Sequence, residues 1–202
     1  MTKMVLNSSV YERLADLCHE VGFLRRIQRT GYAFLGSGKE NVAEHSYRMS
    51  IIGYILANMA NANASHVVLL CLFHDLHEVR TGDFNYVNHR YNSCDARKAL
   101  IDATNGSGLS ENILSLFDEF EAKESLEAKL ARDADQLDLI GNLQVEMEMG
   151  NGFAKDWIDS ALQRLVTEQG KTLAENMLLR NVNDFWYRQI PKSWWINKGE
   201  NL

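Results

Sequence analysis

One histidine and two carboxylates directly follow the longest apolar run of this 202-residue chain. Residues 67–73 are almost wholly apolar, and they continue into His74, Asp75 and, one helical turn later, Glu78. An imidazole and carboxylates at this spacing can bind a divalent cation and move protons beside it. The chemistry that these residues indicate is metal-assisted hydrolysis.

Two ligands rarely hold a catalytic cation, and the sequence offers two more at a distance. His45 lies on the apolar stripe of one predicted helix, and Asp135 lies beside the apolar face of another. A carboxylate there needs a partner, and a cation is a suitable one. The predicted ligands of one divalent cation are therefore His45, His74, Asp75 and Asp135. Glu78 is expected near the cation as an acid or base, not as a ligand.

All of these residues are expected on helices. The chain contains a single proline, Pro191, and little strand-like alternation, so it predicts an all-α, single-domain helical bundle. The predicted helices cover residues 9–28, 41–59, 63–80 (through the His-Asp pair), 91–105, 110–122, 125–149, 157–169 and 173–182. Capping boxes are predicted where the first two begin, at residues 9–12 and 41–44.

Composition restricts the class of protein. With 46% hydrophobic and 24% charged residues, the chain is typical of an ordinary soluble domain. The net charge of -6 and the lack of a Lys/Arg run argue against a nucleic-acid polymer as partner, although a small anionic substrate remains possible. No apolar run reaches the length of a membrane span or a signal-peptide core. Three widely separated cysteines form no zinc-ribbon or disulfide pattern, so a cytoplasmic location is expected.

The C-terminal end is unusually aromatic. We expect a domain over residues 10–185 followed by a tail over residues 186–202, which contains Trp186, Tyr187, Trp194 and Trp195. Large aromatic side chains at a terminus need burial, so the tail is expected to dock on the bundle or on a second subunit. A platform that stacks nucleic-acid bases is the alternative.

The order of the predicted ligands resembles that of a known family. His45, the pair His74-Asp75 and then Asp135 match the pattern of the HD-domain metal-dependent phosphohydrolases, which are named for the His-Asp pair. The likeness covers about residues 10–185. It is carried by the segments 40–46, 74–78, 81–83 and 134–138, which are most similar to the branch containing the bacterial 5′-deoxynucleotidases and HD-domain-containing protein 2.

This resemblance implies a fold, a reaction and further site residues. It implies a homodimeric all-helical enzyme with one divalent metal ion, cobalt or manganese being favoured, that hydrolyses nucleoside 5′-monophosphates to nucleoside and phosphate. The family pattern makes Glu78 the acid/base residue, Arg29 a phosphate anchor and Asp83 an acceptor for a sugar hydroxyl. The deoxy-selective bacterial enzymes carry tryptophan directly after the anchoring arginine, whereas this chain has Thr30. The resemblance therefore does not extend to a preference for 2′-deoxy sugars.

Two other interpretations stay open at this point. One keeps the site but changes the substrate to an alarmone of the guanosine tetraphosphate type or to a cyclic nucleotide, and the short chain argues against it. The other is a helical sensor that binds a nucleotide or metal without turnover. The complete ligand set together with Glu78 argues against a sensor, because a pure binding module needs no acid or base.

Overall fold

The computed structural model describes residues 8–196. This part of the chain is built from helices and contains no strand, so the all-α prediction is confirmed. The α-helices are α1 (Ser8–Val21), α2 (Tyr32–Leu35), α3 (Val42–Ala60), α4 (Ala64–Phe73), α5 (Glu78–Thr81), α6 (Ala96–Thr104), α7 (Ser110–Ala122), α8 (Leu126–Glu148), α9 (Ala154–Leu162), α10 (Glu168–Leu178), α11 (Asp184–Tyr187) and α12 (Lys192–Ile196). Two 3₁₀ helices, Gly22–Arg26 and Asn88–Arg90, lie between them. None of the helices in residues 8–196 combines the length and apolarity that crossing a bilayer requires.

Helices α3, α4 and α8 form the centre of the bundle. Their fully buried side chains include Leu56, Leu70 and Leu137, each of which contributes about 1.5–3 kcal/mol by leaving water. Gly53 lets α3 approach α4 closely, because a Cβ at this position would lie only 2.7 Å from Cys71 Sγ. The close crossing brings the first turn of α3 near the C-terminal end of α4. Three of the residues predicted to bind a cation, His45, His74 and Asp75, lie at these two places, and Asp135 lies on α8.

Side-chain caps fix where the central helices begin. Asn41 accepts a hydrogen bond from the Glu44 amide at 3.0 Å, and the Glu44 carboxylate accepts one from the Asn41 amide at 3.0 Å. This is the capping box that the sequence predicts, and such caps stabilise a helix by about 1 kcal/mol. Asn63 and Ser125 cap α4 and α8, each with a side-chain oxygen that accepts from a backbone amide in the first turn of its helix. The starts fix the face of α3 that is buried, and His45 lies on that face.

The helix predicted to continue through the His-Asp pair stops before it. Helix α4 ends at Phe73, and the next residues form tight turns, with Leu76 N donating to Phe73 O at 3.3 Å and Glu78 N donating to Asp75 O at 3.0 Å. These bonds span three residues instead of four. The predicted unbroken helix is therefore wrong, because the local backbone closes into tighter turns that redirect the side chains into one cavity.

Other helix boundaries differ from the predictions by several residues. Ser9 lies within α1 and not at its N-cap, and a 3₁₀ turn replaces the last part of the predicted first helix. Ser110 lies inside α7, where its hydroxyl donates to Thr104 O. Helix α10 begins five residues before the predicted start, because the Thr167 side chain caps it by accepting from Gly170 N. Helix α2 lies between the first two predicted helices, where a loop was expected. Residues 91–95, predicted to begin the helix over 91–105, precede α6 instead.

The described aromatic residues near the C-terminus contact one another. The ring centroids of Trp186 and Trp195 lie 5.4 Å apart, and those of Trp194 and Trp195 lie 4.8 Å apart. Helix α11 crosses the predicted boundary between residues 185 and 186. The division into a domain and a tail stays a prediction, and residues 197–202 of that tail lie outside the described residues.

Candidate metal centre

The four predicted ligands lie together although they are far apart in the chain. His45 Nε2 is 3.4 Å from His74 Nε2 and 3.4 Å from Asp135 Oδ1. Asp75 Oδ2 is 2.9 Å from His74 Nε2 and 3.7 Å from His45 Nε2. Helix α3, the end of α4 and the middle of α8 thus each contribute to one cluster.

The spacing of these atoms fits a divalent cation. Nitrogen and oxygen ligands at about 2.1 Å from a cation stand about 3.0–3.4 Å from one another in octahedral or tetrahedral coordination. The observed separations between these ligand atoms, 2.9 to 3.7 Å, bracket that range. Two imidazole nitrogens and two carboxylates also form a donor set suited to Mn²⁺, Co²⁺ or Zn²⁺. The residues present therefore fit the cation that the sequence predicts.

A buried ionic network fixes the orientation of His45. Its Nδ1 donates to Asp138 Oδ2 at 2.7 Å, which leaves Nε2 free to face the other ligands. Asp138 is fully buried and also accepts from Arg48 Nε. Burial acts to raise the pKa of Asp138, but His45 and Arg48 hold it below the usual value. Glu40 and Asn142 complete the network around the guanidinium.

The sequence left Asp133 and Asp138 as either solvated or supporting the ligands, and the structure shows that Asp138 supports His45. A usable signal is the position of Asp138 three residues after Asp135, since residues three apart on a helix share a face. Asp133, on the same helix, is fully buried and accepts from the Thr167 amide and hydroxyl and from the Val166 amide. It therefore anchors the start of α10 and is not part of the cluster.

His74 and Asp75 form a close pair at the centre of the cluster. His74 Nδ1 donates to Cys71 O at 2.8 Å, so its Nε2 points towards Asp75. Burial acts to lower the pKa of His74, whereas Asp75 raises it and the net direction is upward. Burial likewise acts to raise the pKa of Asp75, but His74 and other cationic neighbours hold it well below its usual range.

Arg29 lies at the edge of the carboxylate cluster. Its guanidinium nitrogens are 3.8 Å from Asp75 Oδ2 and 4.0 Å from Asp135 Oδ1. An antiparallel bridge fixes its backbone, because Arg29 N donates to Glu40 O at 2.9 Å just before α3 begins. Burial acts to lower the pKa of Arg29, but the two aspartates raise it above the usual value. A permanently charged donor is thus held beside the predicted cation position.

Glu78 is a buried carboxyl group with an unused oxygen. Its side chain lines the same cavity as His74 and Asp75, and its Oε2 has no hydrogen-bond partner among the described residues. Burial, followed by the negative charges of Asp75 and Asp83, raises the pKa of Glu78 to about 10. A buried polar atom without a partner has a high free-energy cost, so this oxygen is suited to a group that arrives with the substrate or cation.

Asp83 lies on the same cavity wall but already has a protein partner. Its Oδ2 accepts from Thr30 N at 2.6 Å and from Thr30 Oγ1 at 2.7 Å. Asn85 Nδ2 donates to the same hydroxyl at 2.9 Å. Asp83, the predicted acceptor for a sugar hydroxyl, is thus hydrogen-bonded to Thr30, directly after Arg29. Only the lone pairs of Asp83 that Thr30 does not use can face a ligand.

One cavity of about 680 Å³ connects these groups. This volume lies within the range of small-molecule sites, about 300–1,000 Å³. Arg29, His74, Asp75, Glu78, Asp83 and Asp135 all line it. Part of the remaining wall is aromatic, formed by Tyr32, Phe34, Tyr86, Phe117, Phe120 and Trp157, and polar residues such as Glu121, Arg132, Gln136 and Arg164 also line the cavity. The cavity thus joins a charged end to surfaces on which a planar ring can pack.

Comparisons with known proteins identify related sequences and folds. A family model described as HD domain matches residues 21–178. The 5′-deoxynucleotidase HDDC2 of Danio rerio is 32% identical over 126 residues, which cover 59% of this chain and 62% of that protein. The 5′-deoxynucleotidase HDDC2 of Xenopus laevis is 29% identical over 163 residues, which cover 76% of this chain and 80% of that protein.

A solved structure shares the fold. A conserved hypothetical protein from Pyrococcus furiosus superposes with a TM-score of 0.71 at 24% identity, covering 82% of this chain and 99% of that protein.

Proposed function

Because this chain belongs to the HD domain family, we propose that it is a metal-dependent phosphohydrolase that converts nucleoside 5′-monophosphates to nucleoside and phosphate. One observation carries the proposal: His74, Asp75 and Asp135 line one cavity with an arginine and an unpaired carboxyl group, and His45 Nε2 lies within 3.7 Å of an atom of each of the three. The similarity to proteins named 5′-deoxynucleotidase supports the choice of substrate class.

Each part of the cavity has a separate task in this proposal. A divalent cation held by the four ligands supplies a Lewis acid for the phosphoryl oxygens and lowers the pKa of water. Glu78 is protonated without the cation and can donate that proton to the departing sugar oxygen; a bound cation would lower its pKa, and Oε2 could then accept a proton from the attacking water. The aromatic part of the wall excludes bulk water, which strengthens the electrostatic interactions in the site.

Arg29 and Asp83 are proposed to position the substrate. The planar guanidinium of Arg29 can bind two phosphoryl oxygens at once, and its distances to Asp75 and Asp135 place it beside the ligands. Asp83 would accept a hydrogen bond from a sugar hydroxyl through lone pairs that Thr30 leaves free. Thr30 is smaller than the tryptophan that the deoxy-selective bacterial enzymes carry at this place. Both ribonucleotides and deoxyribonucleotides are therefore included in the substrate test.

A substrate and metal panel tests the proposal directly. Purified protein is incubated with all ribo- and deoxyribonucleoside 5′-monophosphates, a guanosine tetraphosphate-type alarmone and a cyclic nucleotide, with Co²⁺, Mn²⁺, Mg²⁺ and Zn²⁺ in turn; phosphate release and the nucleotide products are measured. We expect release with Co²⁺ or Mn²⁺ and none after chelation. Turnover of only an alarmone or a cyclic nucleotide would favour the second substrate class. Nucleotide binding without phosphate release under any of these metals would favour a sensor.

A cytoplasmic location is also proposed. All three cysteines are free of disulfide bonds, and two of them, Cys18 and Cys94, are exposed. Exposed unpaired thiols are typical of proteins that work in a reducing compartment.

We also propose that the protein is a homodimer, and a largely apolar face supports this. Two neighbouring helices, α3 and α4, expose large side chains on one side of the bundle. These are Tyr47, Ile51, Tyr54, Ile55, Met59, Leu69 and Leu72. Contiguous exposed apolar surface of this kind is typical of protein interfaces. A second copy is a suitable partner because the exposed side chains of this face are mostly apolar and its charged neighbours on α3, Glu44 and Arg48, carry opposite signs, so two copies can meet there without a net charge of one sign.

Ile51→Glu tests this face. We expect the parent protein to sediment as a dimer and the variant as a monomer, since burying a carboxylate in an apolar interface is costly. The measurement is analytical ultracentrifugation at several concentrations. Ile101→Glu on α6, a comparably exposed isoleucine elsewhere, is the matched control and should stay dimeric. A monomeric parent, or a variant with unchanged sedimentation, would contradict the proposed interface.

A further inference from the structure

The two carboxylate oxygens of Asp135 have different neighbours. Oδ1 lies 3.4 Å from His45 Nε2, on the side of the other ligands. Oδ2 accepts a hydrogen bond from Gln136 Nε2 at 2.8 Å. A carboxyl group that rotates freely would present either oxygen, so the Gln136 amide selects the orientation in which Oδ1 faces the histidines.

The contact between Asp135 and Gln136 needs an external support. Adjacent residues on a helix do not normally face each other, so the Gln136 side chain must bend towards its neighbour. Arg164 Nε donates to Gln136 Oε1 at 2.5 Å and holds it there. Because arginine is only a donor, it binds the amide oxygen and leaves the amide NH₂ for Asp135. The orientation of the glutamine is therefore fixed from both sides.

Arg164 is itself held in place by two parts of the molecule. Fully buried Asp133, on the same helix as Gln136, accepts from Val166 N at 2.9 Å and from Thr167 N at 2.8 Å, which fixes the segment that carries Arg164. The Arg164 guanidinium also lies 5.2 Å from the centroid of the Tyr86 ring, a cation–π distance. Tyr86 and Arg164 both line the cavity.

We infer that Gln136 and Arg164 are positioning residues for the cation ligand Asp135. Arg164 orients the Gln136 amide, and Gln136 orients the Asp135 carboxylate, so that one oxygen is directed at the cation before it binds. Neither residue touches the reacting atoms in this scheme. The inference rests on the proposed cation site and adds to it the groups that align one ligand. It also links that ligand, through Arg164, to Tyr86 on the cavity wall.

The test measures cation affinity and needs no turnover. Mn²⁺ is titrated calorimetrically into the chelator-treated protein and into Gln136→Leu, Arg164→Met and the double variant. Loss of a group that orients a ligand typically weakens metal binding about 10–100-fold. We expect Gln136→Leu to raise the Kd about 10-fold or more and Arg164→Met to raise it in the same direction. Because Arg164 acts through Gln136, the double variant should bind no more weakly than Gln136→Leu alone.

Controls separate positioning from general stability. Arg97→Met removes an arginine that pairs with Asp118 at the surface, and it should leave the Kd unchanged. Thermal unfolding in the presence of chelator reports the stability of each metal-free variant, and a purely structural role would lower the Tm without a selective change in Kd. Unchanged Kd values in both single variants, or additive effects in the double variant, would overturn the inference alone. A parent protein that binds no cation would overturn the cation site and the inference together.

Discussion

Glu78→Gln is expected to keep cation affinity close to that of the parent and to lower kcat by about 10²–10⁴-fold, the usual contribution of a general acid or base. The glutamine has nearly the same shape, and the four ligand side chains remain. It cannot accept a proton from water or return one to a leaving oxygen. Calorimetric titration with Mn²⁺ and phosphate release from the best substrate in the panel measure the two quantities separately.

The stability of the metal-free variant provides an internal control. The raised pKa of Glu78 means that the folded protein retains this proton at pH values where the unfolded chain has lost it. Ionisation of Glu78 therefore opposes folding as the pH rises from about 4.5 towards about 10. Since glutamine never ionises, the chelator-treated variant should have a Tm equal to or above that of the parent at neutral pH. A fall in kcat with an equal or higher Tm cannot be attributed to unfolding.

Two outcomes would contradict this role for Glu78. Equal rates of phosphate release from parent and variant would exclude Glu78 as the acid or base. Loss of Mn²⁺ binding in the variant would mean that Glu78 is a ligand instead. Glu44→Gln is a suitable comparison, because Glu44 belongs to the capping box of α3 and its carboxylate bonds to the Asn41 amide.

His74→Gln is expected to raise the Kd for the cation at least about 100-fold and to abolish measurable turnover. Loss of a group that merely orients a ligand costs about 10–100-fold, so loss of a ligand should cost more. His74 Nε2 is the atom nearest to Asp75 in the cluster, and the Cys71 carbonyl holds the other ring nitrogen. A glutamine amide occupies similar space but is a weaker donor for Mn²⁺ or Co²⁺ than imidazole.

Metal analysis after loading and calorimetry measure this effect. His66→Gln is the matched control, because His66 pairs with Glu119 on the surface and does not line the cavity. It should keep both the parent Kd and the parent kcat. Retention of stoichiometric metal by His74→Gln would remove His74 from the ligand set, and with it the central assumption of the proposed reaction.

The helical class and the order of the ligands could be read from local patterns. The capping box at Asn41 and the apolar stripe that includes His45 were predicted correctly, whereas the residues of the capping box predicted at 9–12 lie inside α1. Such features depend on residues three or four apart, whose relative positions the helix itself fixes. Where backbone geometry departs from a regular helix, as between His74 and Glu78, the same reasoning failed.

The roles of the other buried groups depended on contacts between distant segments. Asp133, Asp135 and Asp138 are all acidic residues on one turn and a half of α8, and the sequence alone does not separate their tasks. In the fold, Asp133 accepts from the Thr167 amide at the start of α10. Asp135 Oδ1 faces His45 Nε2, and Asp138 accepts from His45 Nδ1. The difference arises because each carboxylate meets a different packed segment.

The sequence by itself determined an all-α chain and the set of side chains able to bind a cation, because periodicity and residue chemistry are local properties. Only the tertiary structure decided how those side chains are supported. The close crossing at Gly53 brings α3 to α4, and Arg164 reaches Gln136 from 28 residues away. Such contacts between distant segments depend on how the helices cross and on which buried polar groups form hydrogen bonds with one another. No local sequence pattern encodes either.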